Sequence, residues 1–235
     1  MILPANFSDF SSADLLALAF LVVAWLGIGW CVEHPPTHYP SVSRIMQSYR
    51  REWMRQFVSR QPRIFDATIM DSLRQGTSFF ASTCMIAIGG GVALIGNTER
   101  LQGLASDLSL LSDPTAVWEV KILVVLLFVT NAMLKFVWSH RLFGYCAILM
   151  AAVPNDPNDP AAYKRAAQAA EVNIHAARNF NRGLSSVYFS LAALGWLLGP
   201  WGLVAATVAT LFVTGRREFA SRSRRVLIDG MPTPA

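Results

Sequence analysis

Asn131 and Lys135 stand four residues apart within the apolar stretch Trp118–Trp138, a spacing that sets an amide and an ammonium on one face of a helix. Asp71, Arg74, Ser78 and Ser82 make a second polar stripe at helical spacing, leading into another apolar stretch. An ionisable side chain within an apolar helix is costly to bury and marks either a functional site or a structural pair. Two readings are open here. Asp71 or Asp66 could neutralise Lys135 across helices, or Asp71, Arg74, Asn131 and Lys135 could line a polar pocket for an anionic headgroup or a small solute. Further along, His175, Arg178, Asn179, Arg182 and Ser186 fall at i, i+3, i+4, i+7 and i+11, one stripe whose cations suit phosphate. Arg50, Arg51 and Arg55 join His175, Arg178 and Arg182 as candidate contacts for lipid headgroups or a protein partner.

Catalytic chemistry finds little support. No nucleophile or paired carboxylate stands beside the His175 stripe, and the sequence has no nucleophilic triad, glycine-rich phosphate loop or HExxH motif. A non-enzymatic protein is expected. Glu33-His34-Pro35-Pro36-Thr37-His38 places two histidines four apart, but the prolines forbid the helix that would aim both at one metal. All four histidines lie at or beyond the ends of apolar stretches, whereas haem held between spans needs them near the middle. Cys31, Cys84 and Cys146 are odd in number and widely spaced, and read as small apolar packing residues. No cofactor or metal is expected.

The elements that would position these residues are written in the composition. Of 235 residues, 53% are hydrophobic and 15% charged, against about 25% charged in an ordinary soluble domain. Leu15–Val32 has no formal charge over eighteen residues, Gln75–Thr98 over twenty-four and Gly183–Gly215 over thirty-three. A span needs roughly 20 mostly apolar residues, so the fold class expected is an all-α, polytopic transmembrane helical bundle over residues 1–235. No basic residue precedes Leu15, so the first run reads as a retained span and not as a secretory signal. Span two covers Gly76–Ile95, where Gly89-Gly90-Gly91 permits close helix approach. Span three is Trp118–Trp138, with Lys121 and Lys135 placed to snorkel and the two tryptophans placed as interface anchors.

The last run is divided by Gly199-Pro200-Trp201-Gly202, a turn signal. It gives either two short helices in a hairpin, Leu184–Leu198 and Leu203–Thr214, or one long helix kinked at Pro200. Charge favours the hairpin. With five spans and the N-terminus outside, eighteen of the twenty lysines and arginines lie inside, and only Arg100 and Lys121 outside, as the positive-inside rule asks. Four spans would put Arg216, Arg217, Arg222, Arg224 and Arg225 on the wrong side. The expected location is the cell inner membrane with the C-terminus cytoplasmic. That topology accounts for the basic balance without nucleic acid as a partner.

Two cytoplasmic segments, 33–75 and 139–183, are patterned. Within the first, Ile45, Tyr49, Trp53 and Phe57 follow a helical period with Met46, Met54 and Val58 beside them, and arginines oppose that face. This amphipathic helix over 41–61 either lies on an anionic leaflet or packs on other cytoplasmic helices. Pro62 closes it, and a new helix starts near Ile64 and runs into span two. In the second segment, a helix from Glu119 to Val153 would be roughly 50 Å long and project beyond the bilayer. A Pro-Asn-Asp repeat, 154–160, ends it. Asp159 then serves as N-cap with Pro160 at the first helical position, opening an alanine-rich helix that could run unbroken into the fourth span.

The run Tyr49-Arg-Arg-Glu-Trp-Met-Arg, then Arg60, Arg63 with Ile64-Phe-Asp-Ala, Phe79-Phe-Ala-Ser and Gly89-Gly-Gly resembles domain-of-unknown-function family 599, multi-span membrane proteins of bacteria and plants. Phe180-Asn-Arg-Gly, Tyr188-Phe-Ser-Leu-Ala and Trp196 resemble its second block, so the likeness covers roughly 15–220. The resemblance implies the fold and a membrane location, and it carries no agreed activity or catalytic residues. The expected function is thus a structural or binding one, with the lipid bilayer, anionic lipids, a membrane protein or a second copy as partner. A small transporter or channel built on Asn131, Lys135 and the interrupted final run is the alternative.

Overall fold

The computed structural model describes residues 10–97 and 114–230, and among them every regular element is a helix. Arg100, assigned to the outside above, lies beyond the described residues.

Helix α1, Ser12–Glu33, starts at a capping box in which the Ser11 hydroxyl accepts from the Asp14 N–H and the Asp14 carboxylate accepts from Ser11. His34-Pro35-Pro36 ends it. Its 22 residues span about 33 Å at 1.5 Å per residue. Helix α2, Val42–Ser59, is capped by Ser41, and Ser43 N–H donates to the Glu218 carboxylate at 3.0 Å. Helix α3 is Ile64–Ile95 and helix α4 Thr115–Ala151. The 37 residues of α4 reach about 55 Å, close to the length its sequence predicts. Helix α5, Pro160–Leu194, begins as expected, with the Asp159 carboxylate accepting from Ala161 N–H at 2.7 Å and Pro160 in the first turn. It runs unbroken to Leu194, through a 3-10 turn, Gly195–Leu198, to Gly199. There φ is 90°, a left-handed value that favours glycine. Helix α6, Pro200–Phe219, and the short α7, Arg222–Asp229, are the last elements among the described residues. Among the described residues three helices, α1, α3 and α4, are long and apolar enough to cross a membrane.

Side-chain contacts fix how these helices are registered. Trp25 meets Phe128 edge-on at 5.1 Å, each thirteen residues into its helix, so α1 and α4 descend in step. Trp196 N–H donates to Asp14 at 2.7 Å at one pole, and Arg182 grips Glu33 through two 2.6 Å bonds toward the other. Helix α6 comes back beside α5, with Gly202 against Gly195 near the turn and Arg217 donating to the Tyr188 hydroxyl at 2.6 Å lower down. Its far end reaches the start of α2, where Tyr39 donates to the Phe219 carbonyl and Arg224 to the Pro40 carbonyl.

Two clusters fill the upper bundle, one around Leu21, Phe128, Phe189 and Trp196, the other around Phe80, Phe136 and Phe180. Gly183 admits Phe136, since a Cβ there would sit 2.7 Å from the ring. Of the three consecutive glycines only Gly91 is packed, against Leu126, while Gly89 and Gly90 face open space. A third cluster at the basic pole joins Met54, Phe57 and Val58 of α2 to Met70, Phe143, Met150 and the alanine face of α5. The apolar face of 41–61 is therefore spent inside the protein, with Ile45, Met54, Phe57 and Val58 all buried. That settles the choice left open above for those four side chains, because a face packed on α5 is not free to sink into a leaflet.

Span three behaves differently from its expectation at one end. Lys121 is 1% and Trp118 5% exposed, the ammonium 5.6 Å from the indole centroid. Neither snorkels nor anchors, because the upper turns of α4 face the centre of the bundle. Trp138, at the lower end, is exposed.

Candidate functional site

A cavity of about 1020 Å³ lies where the lower half of α1 parts from α3, roofed by the upper apolar packing and floored by α2. Its upper wall is apolar, from Trp25, Leu26 and Ile28 of α1 and Leu184 of α5, and Leu73 of α3 and Phe180 of α5 add apolar surface among the charges below. Its lower wall carries Arg50, Lys135, Arg178, Arg182 and Arg217 against two carboxylates, Glu33 and Glu218. Because Trp25 and Phe128 are level, Lys135 falls at the depth where α1 ends.

Each of these charges has a different degree of compensation. Arg182 holds both oxygens of Glu33, a bidentate geometry that gives the strongest ion pairs. Glu218 accepts from Ser43 N–H at the positive end of α2. Arg50 donates to the Asn173 amide oxygen, and burial pushes its guanidinium below the ordinary value. Among the described residues Arg178 has no hydrogen-bond partner, and its Nε is buried without an acceptor; Glu33 lies in its field but is already engaged by Arg182. Lys135 has no carboxylate within 4 Å among the described residues. Asn131 donates to the Ser186 hydroxyl at 2.7 Å, which in turn donates to the Arg182 carbonyl. The amide thereby ties α4 to α5 at the cavity wall.

The structure brings Asn131, Lys135, Arg50, Arg178 and Arg182 to this cavity and leaves the other candidates elsewhere. Asp71 is exposed, and neither it nor Arg74 lines the wall; their neighbours Ser72, Leu73 and Gly76 do. One residue along a helix turns the side chain by about 100°, enough to exchange one face for another. Asp66 does not reach Lys135 either. It is fully buried and accepts from Trp53 N–H at 2.6 Å and from Arg60 at 2.5 Å. Arg51 pairs with Glu171 and Arg55 with Glu52, all on the surface, where such pairs contribute little. His175 is exposed and away from the cavity. Among the described residues no three His, Cys, Asp or Glu side chains come together as metal ligands would.

Glu33, Arg217, Glu218 and Gly76 were not singled out from the sequence. Glu33 and Arg182 are 149 positions apart, so nothing local marks them as partners, although an acid closing an apolar run was visible.

The residues behind the family resemblance sit largely in load-carrying contacts around the α2–α3 corner. Besides the Trp53–Asp66–Arg60 cluster, Arg63 donates to the carbonyls of Val58, Val153 and Pro154 and stacks over Phe57 at 4.4 Å. Tyr49 donates to the Leu227 carbonyl, holding α7. A family model described as a protein of unknown function, DUF599, matches residues 16–223. No curated protein and no solved structure matches the chain.

Proposed function

We propose, for a chain that belongs to the DUF599 family of proteins of unknown function, a non-enzymatic role in the inner membrane: recognition of anionic lipid headgroups at a basic cytoplasmic pole. Large apolar side chains point outward from the bundle along α1, α3, α4 and α6, among them Leu16, Val23, Ile86, Leu127 and Phe212. Water would not tolerate that much contiguous apolar surface, and lipid does. Exposed Trp201 at one end and Trp30 and Trp138 at the other suit the two interfaces. The return of α6 beside α5 supports five spans with the last two as a hairpin, which leaves the arginine-rich tail on the same side as α2.

The observation that carries the headgroup reading is the pair Lys135 and Arg178, cations in a mostly apolar cavity with no salt-bridging carboxylate of their own among the described residues. In such surroundings a bound anion regains the solvation that burial removed. The double variant Lys135→Ala/Arg178→Ala, purified in mild detergent beside the wild type, is expected to lose most of the co-purifying phosphatidylglycerol seen by native mass spectrometry. The retained fraction should fall about tenfold, the equivalent of about 1.4 kcal/mol. Equal retention by both proteins would remove the reading.

Solute transport is the second reading, favoured by Asn131 and Lys135 in the cavity wall. A through-route would have to cross the packing of Trp25, Phe128, Phe189 and Trp196, which makes a one-sided binding site the better fit.

A further inference from the structure

Resting on that membrane reading, we infer that the cavity seats one whole anionic phospholipid, which enters sideways from the inner leaflet between α1 and α3. Leu26 and Trp30 line the cavity yet are 58% and 64% exposed, so they stand at an open mouth on the flank of α1. Helices α1 and α3 make no extended contact with each other, and Ser72 and Gly76 line the cavity from α3, lower than Leu26 and Trp30. The mouth therefore faces the surroundings of the bundle along the length where α1 is apolar.

The distribution of chemistry inside matches one molecule in one orientation. The apolar upper wall takes acyl chains. Lys135, Arg178 and Arg182 lie near the level where α1 ends, the depth of a headgroup, and Arg50 stands deeper toward the cytoplasmic pole, beside Asn173. Five cations face two carboxylates there, and both carboxylates are already engaged. Charge complementarity thus calls for an anionic head, and the orphaned Nε of Arg178 for an oxygen acceptor. At about 1020 Å³ the space is at the top of the range for small-molecule pockets, far larger than an inorganic anion needs. A phosphate monoester without chains would leave the apolar half unfilled.

Gly29 and Gly76 give a way to close the mouth without touching a cation. Both line the cavity, and a Cβ at either meets nothing within 4 Å. Full-length Gly29→Leu/Gly76→Leu, with each single variant beside it, would be stripped of lipid in detergent. Each would then be titrated with phosphatidylglycerol, phosphatidylcholine of the same chains, and glycerol 3-phosphate. The wild type should bind phosphatidylglycerol with one-to-one stoichiometry by native mass spectrometry and prefer it at least tenfold over phosphatidylcholine. It should ignore glycerol 3-phosphate. The double variant should melt like the wild type when lipid-free and lose phosphatidylglycerol binding tenfold or more; if it melts lower, the single variants that melt normally carry the test.

Unchanged phosphatidylglycerol binding in the filled variants would overturn the seat. If Lys135→Ala/Arg178→Ala still lost lipid, the headgroup reading would survive that failure. Equal binding of phosphatidylcholine would overturn the seat by showing an apolar groove without charge selection. Equal binding of glycerol 3-phosphate would overturn it in favour of a soluble-anion site.

Discussion

Gly202→Val is expected to be among the most damaging single substitutions in the chain. Helices α5 and α6 touch backbone to backbone where Gly195 and Gly202 face each other. A Cβ at Gly202 would lie 2.5 Å from the Gly195 carbonyl oxygen and 2.9 Å from Leu198 Cβ. The first of these atoms is main chain and cannot rotate away, so the two helices must part just after the turn at Gly199. Overpacking of this kind costs about 3 kcal/mol, and the separation would also loosen Trp196 from Asp14. Purified in detergent, the valine variant should melt well below the wild type and the alanine variant between the two. Gly90→Ala is the control: its Cβ meets nothing, and the better helix former should leave stability unchanged or raise it by up to about 1 kcal/mol. A valine variant that melts like the wild type would mean that α6 does not approach α5 this closely.

Asp66→Ala should come close to that effect for an electrostatic reason. The carboxylate is wholly buried and satisfies the Trp53 indole and the Arg60 guanidinium together. Removing one partner of a buried pair costs about 3–5 kcal/mol because a charge is left without compensation. Arg60 is 35% exposed and can turn partly to water, which brings the expected loss to about 3 kcal/mol. Asp66→Asn keeps an acceptor for Trp53 and should lose about half as much. The contrast is read by thermal melting together with tryptophan emission, which should shift in the alanine variant as α2 loosens from α3. Equal melting temperatures for Asp66→Ala and the wild type would show that the corner is held by the apolar cluster alone.

These two positions also show what a sequence can and cannot reveal in a bundle of this kind. Helix existence, the cap at Asp159-Pro160, the break at Gly199 and the unbroken course of α5 follow from local chemistry, and local chemistry is what a single sequence displays. Partner choice across helices is not local. Asp66 does not meet Lys135: it faces α2, and with Thr77 level with His140 it also lies more than two helical turns too low, so both the azimuth and the register of α3 decide that. The same rotation takes Asp71 and Arg74 out of the cavity and puts Ser72 and Gly76 into it. For the amphipathic stretch 41–61, periodicity identified the buried face but not what buries it, since a leaflet and an alanine-lined helix reward the same apolar side chains. Lys121 and Lys135 look alike in sequence. One is enclosed by the centre of the bundle and the other opens onto the cavity, a difference set by which helices reach each turn of α4. Within the candidate site, Asn131, Lys135 and the Arg178–Arg182 stripe were legible because a polar group inside or beside an apolar run stands out. Glu33 and Glu218, which compensate part of that charge, come from distant parts of the chain and were not.

The central claim, that the basic pole and the tail face the cytoplasm after an odd number of crossings, is tested most directly by reporter fusions to the full chain. Green fluorescent protein joined after Ala235 should fluoresce, and alkaline phosphatase at the same point should be inactive, while phosphatase inserted after Asn97 should be active. An active phosphatase after Ala235 would contradict the topology and, with it, the placement of Lys135 and Arg178 at the inner leaflet.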